Sequence, residues 1–561
     1  MSVEVAEDWL RWRFQYPMLS CIQLRRYSDQ LFLRAEENLR RGLLVESDMS
    51  GTGGSHAALD FLMKALYHRN QFVTPSVRHY RASDVTWESL RVLSASSADT
   101  YEIEHVFRDL HSRLPEKIIN GLHALEPAES DSPEVRRAAY KGMIAYLRDR
   151  LAEAFPDDAT SPCVKCSPEP LSRKVEWRGL TPSVRCRVAS PMPPGYPEWD
   201  HVNSDFEFTE RPWVMNCTST DCQPFSPMGH HQGDCDARMK NLVVWGAEQR
   251  HRRKDILWHE MVHTGQPELL DTVIGDSNDG FIRITVRSTP STKGWGATRL
   301  RDLSAILNAE SVVWVGPSTN QLIQKEFEDI FATTYEDMPL PHPCGVADAF
   351  FLCAPFECKL DLYKELARRR GLFIPEWRCA DGSALNAHLE KILPPGQRQN
   401  LIKQREQYER KFFGVGPMYC DLEQNAGSKG DKASRELGAF LRHGSPYSME
   451  SEEILTGWGR LAAMGFPLPP FDSTFKVPFA AVLHELDSRH VIRLTGNAFH
   501  VHCDLAFKLY FTANVARREW PRVSKPVLHV SSDEESDGKG NSRQARSLRL
   551  RRSRSRGRKS G

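Results

Sequence analysis

The stretch that most constrains this chain is "LLVESDMSGTGGSHAALDFLMKAL", residues 43–66. An apolar run from Leu43 to Val45 leads into Gly51, Gly53 and Gly54, and "HAALDFLMKAL" then opens as a helix. A strand that turns tightly through glycines into a helix predicts a βα unit of an open α/β sheet, with backbone free to approach a ligand over a helix N-terminus. The pattern repeats in weaker form. "HYRASDVTWESLRVL" reads as strand then helix with Asp84 at the strand end, and "HVFRDLHSRLPE" places Asp109 after another short strand. A carboxylate at such a strand end can accept hydrogen bonds from a ribose, so the three units together point to a nucleoside-containing cofactor.

A second stretch pulls elsewhere. "DILWHEMVHTG" holds His259, Glu260 and His263 in the spacing H-E-x-x-H, which on a helix would present two zinc ligands and a general base. The zinc-peptidase reading needs a third ligand, and Thr264-Gly265-Gln266-Pro267 would interrupt the supporting helix. Ile256, Leu257 and Trp258 read instead as a buried strand, with Glu260 turned toward a pocket at its end. His259 and His263 are then incidental.

"PWVMNCTSTDCQPFSPMGHHQGDCDARMKNLVVW" decides the direction. An apolar strand runs into Cys222 followed by Gln-Pro-Phe-Ser. Here the chain resembles the DNA (cytosine-5) methyltransferase family, whose nucleophile loop reads Pro-Pro-Cys-Gln-x-Phe-Ser. Other segments follow in that family's order. "SGTGGSHAAL" is similar to its cofactor turn, with Met49 where phenylalanine is usual, and Glu260 follows Cys222 by 38 residues. "GWGATRLR" resembles its Gln-x-Arg-x-Arg segment, "LTGWGRLAAMGFP" its segment ending in Gly-Phe-Pro, and "RLTGNAFHVH" its late Gly-Asn motif. The departures are Thr220-Asp221 for Pro-Pro, Met261 for asparagine, Ala297 for glutamine and Gly459 for glutamate. The carboxyl group of Asp221 beside the thiol is expected to raise its pKa.

The resemblance implies an α/β, Rossmann-like S-adenosylmethionine-dependent methyltransferase fold with a smaller target-recognition domain. It implies Cys222, Glu260, Arg299 and Arg301 as catalytic residues, and Met49, Ser50, Gly51, Gly53, Gly54, Asp84, Asp109 and Asn497 as the S-adenosylmethionine site. Cys222 would add to C6 of a flipped-out cytosine with Glu260 at N3, and C5 would take the methyl group. Double-stranded DNA is the implied partner of a monomer. A tRNA cytosine-5 methyltransferase and a catalytically silent nucleic-acid-binding homologue are the alternatives.

The expected organisation is a helical extension at 1–39 and a catalytic and cofactor domain at 40–330 with an insertion at about 112–210. A target-recognition domain at 331–450, a return to the catalytic domain at 451–520 and a tail at 521–561 follow. "SPEVRRAAYKGMIAYLRDRLAEAF" predicts a helix capped by Ser132 with Pro133 first and Tyr140, Ile144, Leu147 and Leu151 on one face. Residues 396–413 predict a charged helix, and 156–200 an irregular Pro/Cys-rich stretch.

Thirteen cysteines are scattered, and "MSVEVAEDWLRWRFQYP" lacks an apolar signal core, so reduced thiols are expected. Cys163, Cys166 and Cys186, and the looser set Cys344, Cys353 and Cys358, lack two Cys-x-x-Cys pairs at usual spacing. Zinc binding is the alternative reading of these thiols, but structural or inert cysteines are expected and no metal site is assigned to them. No apolar run is long enough to cross a membrane. Residues 531–561 carry ten Lys/Arg against four Asp/Glu, which leaves the rest of the chain at −5. A tail so rich in Arg and Ser, with too little apolar to bury, predicts disorder and a nuclear-import or nucleic-acid patch. The nucleus is the expected compartment.

Overall fold

In a computed structural model, the described residues are 2–69, 77–97, 101–128, 130–168, 181–190, 211–219, 224–225, 232–333, 346–373, 388–411, 418–424, 434–440, 444–471, 475–496 and 498–518. Met1–Arg518 is a single compact unit. The catalytic candidate Cys222, its neighbours Thr220 and Asp221, the cofactor candidate Asn497 and the tail lie outside the described residues.

The centre is a seven-stranded sheet. Its strands are β1 (Leu43–Asp48), β2 (Val77–Ser83), β3 (Ile103–Phe107), β4 (Trp213–Ser219), β5 (Ile256–Val262), β6 (Phe281–Ser288) and β7 (Arg301–Asn308). Their order across the sheet is β3-β2-β1-β4-β5-β7-β6. The first five are parallel, while β7 is antiparallel to both neighbours. β1 and β4 are buried on both faces, as parallel strands covered by helices must be, β1 carrying Glu46 and Asp48 among its apolar residues. The chain order reverses between β1 and β4, which pair from Leu43↔Trp213 to Asp48↔Thr218. A doubly wound sheet opens a ligand crevice at that switch, outside the carboxyl ends of the two strands. The architecture is thus the Rossmann-like α/β class.

Helices cover both faces. On one, Val501–Ala513 packs on Asp29–Arg40 and Gly54–Arg69; Trp258 of β5 meets Phe507 and Phe511 there edge-on. On the other, Met239–Arg252 packs on Pro133–Arg148, burying Trp245 with Leu257 of β5. The three amino-terminal helices, Val3–Arg13, Tyr16–Tyr27 and Asp29–Arg40, join the first of these cores through Trp9, Phe14 and Leu39. A separate apolar cluster gathers Leu362, Tyr363, Leu389, Leu401, Tyr447 and Ile454, around Phe356–Arg369, Pro395–Lys411 and the ribbon Tyr419–Asp421/Pro446–Ser448.

Ser132 caps the 133–148 helix by accepting from Val135 N–H, with Pro133 in the first turn. The helix stops earlier than its apolar spacing predicts. Arg150 leaves helical geometry, so Leu151 begins a separate turn, and the buried face is Tyr140, Met143 and Leu147. The Pro/Cys-rich stretch is not wholly irregular either: Thr160–Pro162 and Arg185–Arg187 form a small antiparallel ribbon, and Phe107 bridges to Cys163 beside it. No helix among the described residues is long and apolar enough to cross a membrane.

Candidate active site

The glycine turn leaves β1 at the switch point. Met49, Gly51 and Gly53 all take positive φ (51°, 55° and 75°), which a bulky residue such as Met49 adopts only when its surroundings impose it. Ser50 supplies part of that imposition: its hydroxyl donates to Ser83 O (3.0 Å) and accepts from Ser83 N–H (3.1 Å), lashing the turn to the end of β2. Asp84 adds to it by accepting from Gly51 N–H (2.9 Å), Thr86 N–H (2.9 Å) and the Thr86 hydroxyl (2.9 Å). The Ser89 hydroxyl also bears on this carboxylate, so its lone pairs are largely spent within the chain. Burial raises the Asp84 pKa against the pull of these bonds. Gly54 needs its missing side chain for another reason: a Cβ there would stand 3.1 Å from Phe499 Cβ and 3.2 Å from Phe499 O. Phe499 therefore lies directly against the turn.

Asp109 is half-buried and takes part in local structure, its carboxylate accepting from His111 N–H (3.0 Å) at the start of a short 3₁₀ turn. That turn ends in Arg113, which reaches back to Asp48 (2.6 Å). Asp48 belongs to a buried ionic cluster that the sequence patterns did not disclose. Arg81 contacts Glu46 (2.7 Å), Asp48 (3.3 Å) and Glu248 (3.1 Å), Lys254 contacts Glu46, and Arg113 also reaches Glu248 (3.4 Å). Asn216 and Ser83 complete the Asp48 carboxylate at 2.9 and 2.8 Å. Three cations match three anions, so the cluster is neutral and locks the carboxyl ends of β1 and β2 to the helix behind them. A charged residue following an apolar run inside a predicted strand (Glu46, Asp48, Arg81) was the available signal.

Beside it runs a second buried chain. Ser50 Oγ lies 2.6 Å from Ser47 Oγ, which lies 2.7 Å from His56 Nε2, and His56 Nδ1 lies 2.7 Å from His79 Nδ1. One ring must donate and the other accept, so the two cannot both be protonated. Burial lowers both pKa values, that of His79 to about 3.

The H-E-x-x-H stretch is strand β5, buried at every residue from Ile256 to Val262. Successive side chains of a strand face opposite ways. Glu260 therefore faces the 501–513 side with Trp258, and His259 faces Trp245 on the other (ring centroids 5.7 Å). His263 is past the strand end and exposed. Four residues of strand span about 13 Å, so the two histidines cannot share an ion. His259 is fully buried with no partner for either ring nitrogen among the described residues, and burial lowers its pKa to about 3.

Glu260 is 5% exposed and gathers the two arginines that the resemblance singled out. Arg301 Nε lies 2.9 Å from Glu260 Oε1 and Arg299 Nη2 lies 3.6 Å from it. The same Arg299 nitrogen donates to Ala498 O (3.0 Å), next to Asn497. The segment carrying both arginines is held from outside the sheet, with Leu437 N–H donating to Gly296 O and Thr298 N–H to Leu437 O. Cys222 itself is not described, but its flanks are. Ser219, the last residue of β4, pairs with Glu260 in register, and Phe225 O accepts from the Thr264 hydroxyl (2.6 Å).

Far from this crevice, at the β3 edge, three of the scattered cysteines lie together with His105. Spacing alone could not join a histidine in a strand to cysteines 58 to 81 residues later.

No protein-family model matches the chain, and no curated protein matches it. Solved structures do match. A triple mutant of Spodoptera frugiperda DNMT2 is 14% identical, with TM-score 0.35 over 84% of this chain and 99% of that one. The S. pombe Dnmt2 methyltransferase is 11% identical, with TM-score 0.36 over 83% and 98%. The Entamoeba histolytica methyltransferase EhMeth is 9% identical, with TM-score 0.34 over 84% and 98%.

Proposed function

We propose that this chain transfers a methyl group from S-adenosylmethionine to C5 of a cytosine in nucleic acid. The observation that carries the reading is the buried Glu260–Arg301–Arg299 constellation at the carboxyl end of β5, in register with Ser219, which precedes Cys222 by three residues in the sequence. The cofactor's site fits the residues present. The turn at 49–54 takes positive φ over a helix start, the Thr52 hydroxyl is buried without a partner among the described residues, and the Asp84 carboxylate stands against the turn at Gly51 N–H. Met49, Ser50, Gly51, Gly53, Gly54, Asp84, Asp109 and Asn497 would hold it. When bound, S-adenosylmethionine supplies an electrophilic methyl group.

The protein's own part is to make C5 of cytosine nucleophilic. The Cys222 thiolate would form a bond to C6, placing electron density on C5 and N3. Glu260 would hold a proton at N3 in that state, with Arg301 and Arg299 fixing its carboxylate so that no reorganisation is needed as charge develops. After C5 has gained its methyl group, loss of the C5 proton and breakage of the sulfur–C6 bond would restore the aromatic ring and the thiolate. The base must first leave its stack to reach so buried a carboxylate. The tail would add electrostatic hold on phosphates and direct the chain to the nucleus.

Both DNA and tRNA fit this chemistry, and one experiment separates them. The full chain is incubated with S-adenosylmethionine and either duplex DNA or tRNA containing 5-fluorocytosine, whose C5 cannot lose a proton. A denaturation-resistant adduct identifies the substrate. It should vanish in Cys222→Ser and fall by roughly 10²-fold or more in rate in Glu260→Gln. An adduct that survives Cys222→Ser refutes the assignment. No adduct on either nucleic acid, with binding intact, means a silent homologue, a reading that Thr220-Asp221 and Met261 motivate.

A further inference from the structure

At the outer edge of the sheet, His105 of β3 meets Cys163, Cys166 and Cys186. Their ligand atoms all lie within 4.8 Å of one another. We propose that these four residues bind one zinc ion, which staples the 156–190 insertion to the β3 edge.

The distances suit a metal better than any other use of three thiols. A tetrahedral zinc with sulfur at about 2.3 Å and nitrogen at about 2.1 Å separates its ligand atoms by about 3.6–3.8 Å. His105 Nδ1 stands 3.4 Å from Cys166 Sγ and 3.9 Å from Cys163 Sγ. All three cysteines are free thiols. Pairing two of them as a disulfide would strand the third beside an imidazole. Three sulfurs and one nitrogen in a closed set is a structural zinc donor set, with no position left for substrate.

The scaffold around the donors is built as tightly as the donors are placed. Cys163 and Cys166 flank a Cys-x-x-Cys turn whose backbone is fixed on both sides: Cys163 N–H donates to Val184 O (2.8 Å) and Val164 N–H to Val106 O (2.7 Å). The Ser167 hydroxyl donates to Cys163 O (2.7 Å) and accepts from Val184 N–H (2.9 Å), joining the turn to the strand that carries Cys186. Lys165, inside the turn, points away, its ammonium held by Ser96 O (3.0 Å), Ile103 O (2.5 Å) and Glu102 (3.2 Å). No ammonium therefore competes for the thiolates. Phe107 and Val188 wall the inner side with buried Cys163, while Cys166 is exposed and gives the ion a way in. Among the described residues the local apolar cluster is Phe107, Cys163 and Val188, with Cys186 against it. So small a core is the setting in which a metal replaces burial as the source of order.

The test uses the full chain purified without chelators. Elemental analysis should find roughly one zinc per chain. Exchange for cobalt(II) should give the intense visible bands of a tetrahedral site and thiolate charge transfer in the near ultraviolet. Cys166→Ser and Cys186→Ser should each cut bound zinc to under about a fifth. Cys353→Ser should leave it unchanged, and His105→Cys should keep the ion while shifting the cobalt spectrum toward an all-sulfur site. Chelation should expose 156–190 to protease. Wild-type protein that holds no zinc and develops no cobalt bands overturns the proposal without recourse to any variant. Zinc that persists in both serine variants overturns it as well, as does iron in place of zinc. None of these readouts depends on methyl transfer.

Discussion

Replacing Arg113 by methionine removes one cation from a neutral, buried group of six charges while keeping most of the side-chain volume. Arg113 sits 2.6 Å from Asp48 and 3.4 Å from Glu248, and both carboxylates are buried. After the change, two cations face three anions with no water to take up the excess. Two unit charges about 4 Å apart interact by about 4 kcal/mol at an effective dielectric of 20. Breaking a buried pair by removing one partner typically costs about 3–5 kcal/mol, and we expect a loss in that range. Removing the opposite charge as well, in Arg113→Met with Asp48→Asn, should return at least about 2 kcal/mol, because neutrality is restored. The assay is urea unfolding followed by tryptophan fluorescence and circular dichroism, with Arg410→Ala as the comparison. Arg410 pairs with Glu406 in the open, at 72% and 59% side-chain exposure, and its loss should stay within about 0.5 kcal/mol. If Arg113→Met is as mild as Arg410→Ala, or if the two buried substitutions are simply additive, the cluster does not lock the strand ends as argued.

Acid should unfold the chain through the same cluster. Burial pushes the Glu46 carboxyl up, but Arg81 and Lys254 more than reverse this and hold it at about 2 instead of 4.5. Because the folded pKa is the lower one, the stabilisation is complete above about pH 4.5 and drains away as pH falls toward 2, by about 3 kcal/mol for this group alone. Stability measured from pH 6 to 2.5 should show that slope, and a flat profile would refute it. His259→Leu should change stability by no more than about 1 kcal/mol in either direction, since the ring makes no hydrogen bond among the described residues and its removal frees two buried nitrogens. It should also leave bound zinc unchanged; a loss of metal would contradict the strand geometry.

Much of the scaffold was legible in order along the chain. The strand–glycine–helix stretch at 43–66, the capping serine at 132 and the apolar run before Glu260 are local patterns with local causes, and each became the element its pattern implied. The helix after Ser132 ran short of its pattern because apolar spacing alone does not say where a backbone leaves helical geometry. For the site, the order of the resembling motifs drew Glu260 and the Arg299/Arg301 pair from two separate segments of the sequence, and the fold brings them within 3.6 Å. Nothing local in the sequence showed that Asp84 spends three acceptor positions on its own chain, or that Asp109 caps a turn.

By itself, then, the sequence determined the α/β class and the glycine turn, because periodicity and turn chemistry are written in neighbouring letters, while the family resemblance singled out Arg299 and Arg301 alongside Glu260. Tertiary structure alone decided which distant residues meet. It carried the strand at Ile256–Trp258 on to Val262, so that Glu260 faces the 501–513 side and His259 faces Trp245. It assembled Glu46, Asp48, Arg81, Arg113, Glu248 and Lys254 into one neutral cluster. It set His105 beside Cys163, Cys166 and Cys186, a meeting that follows from sheet pairing between segments some sixty residues apart and that no spacing rule encodes.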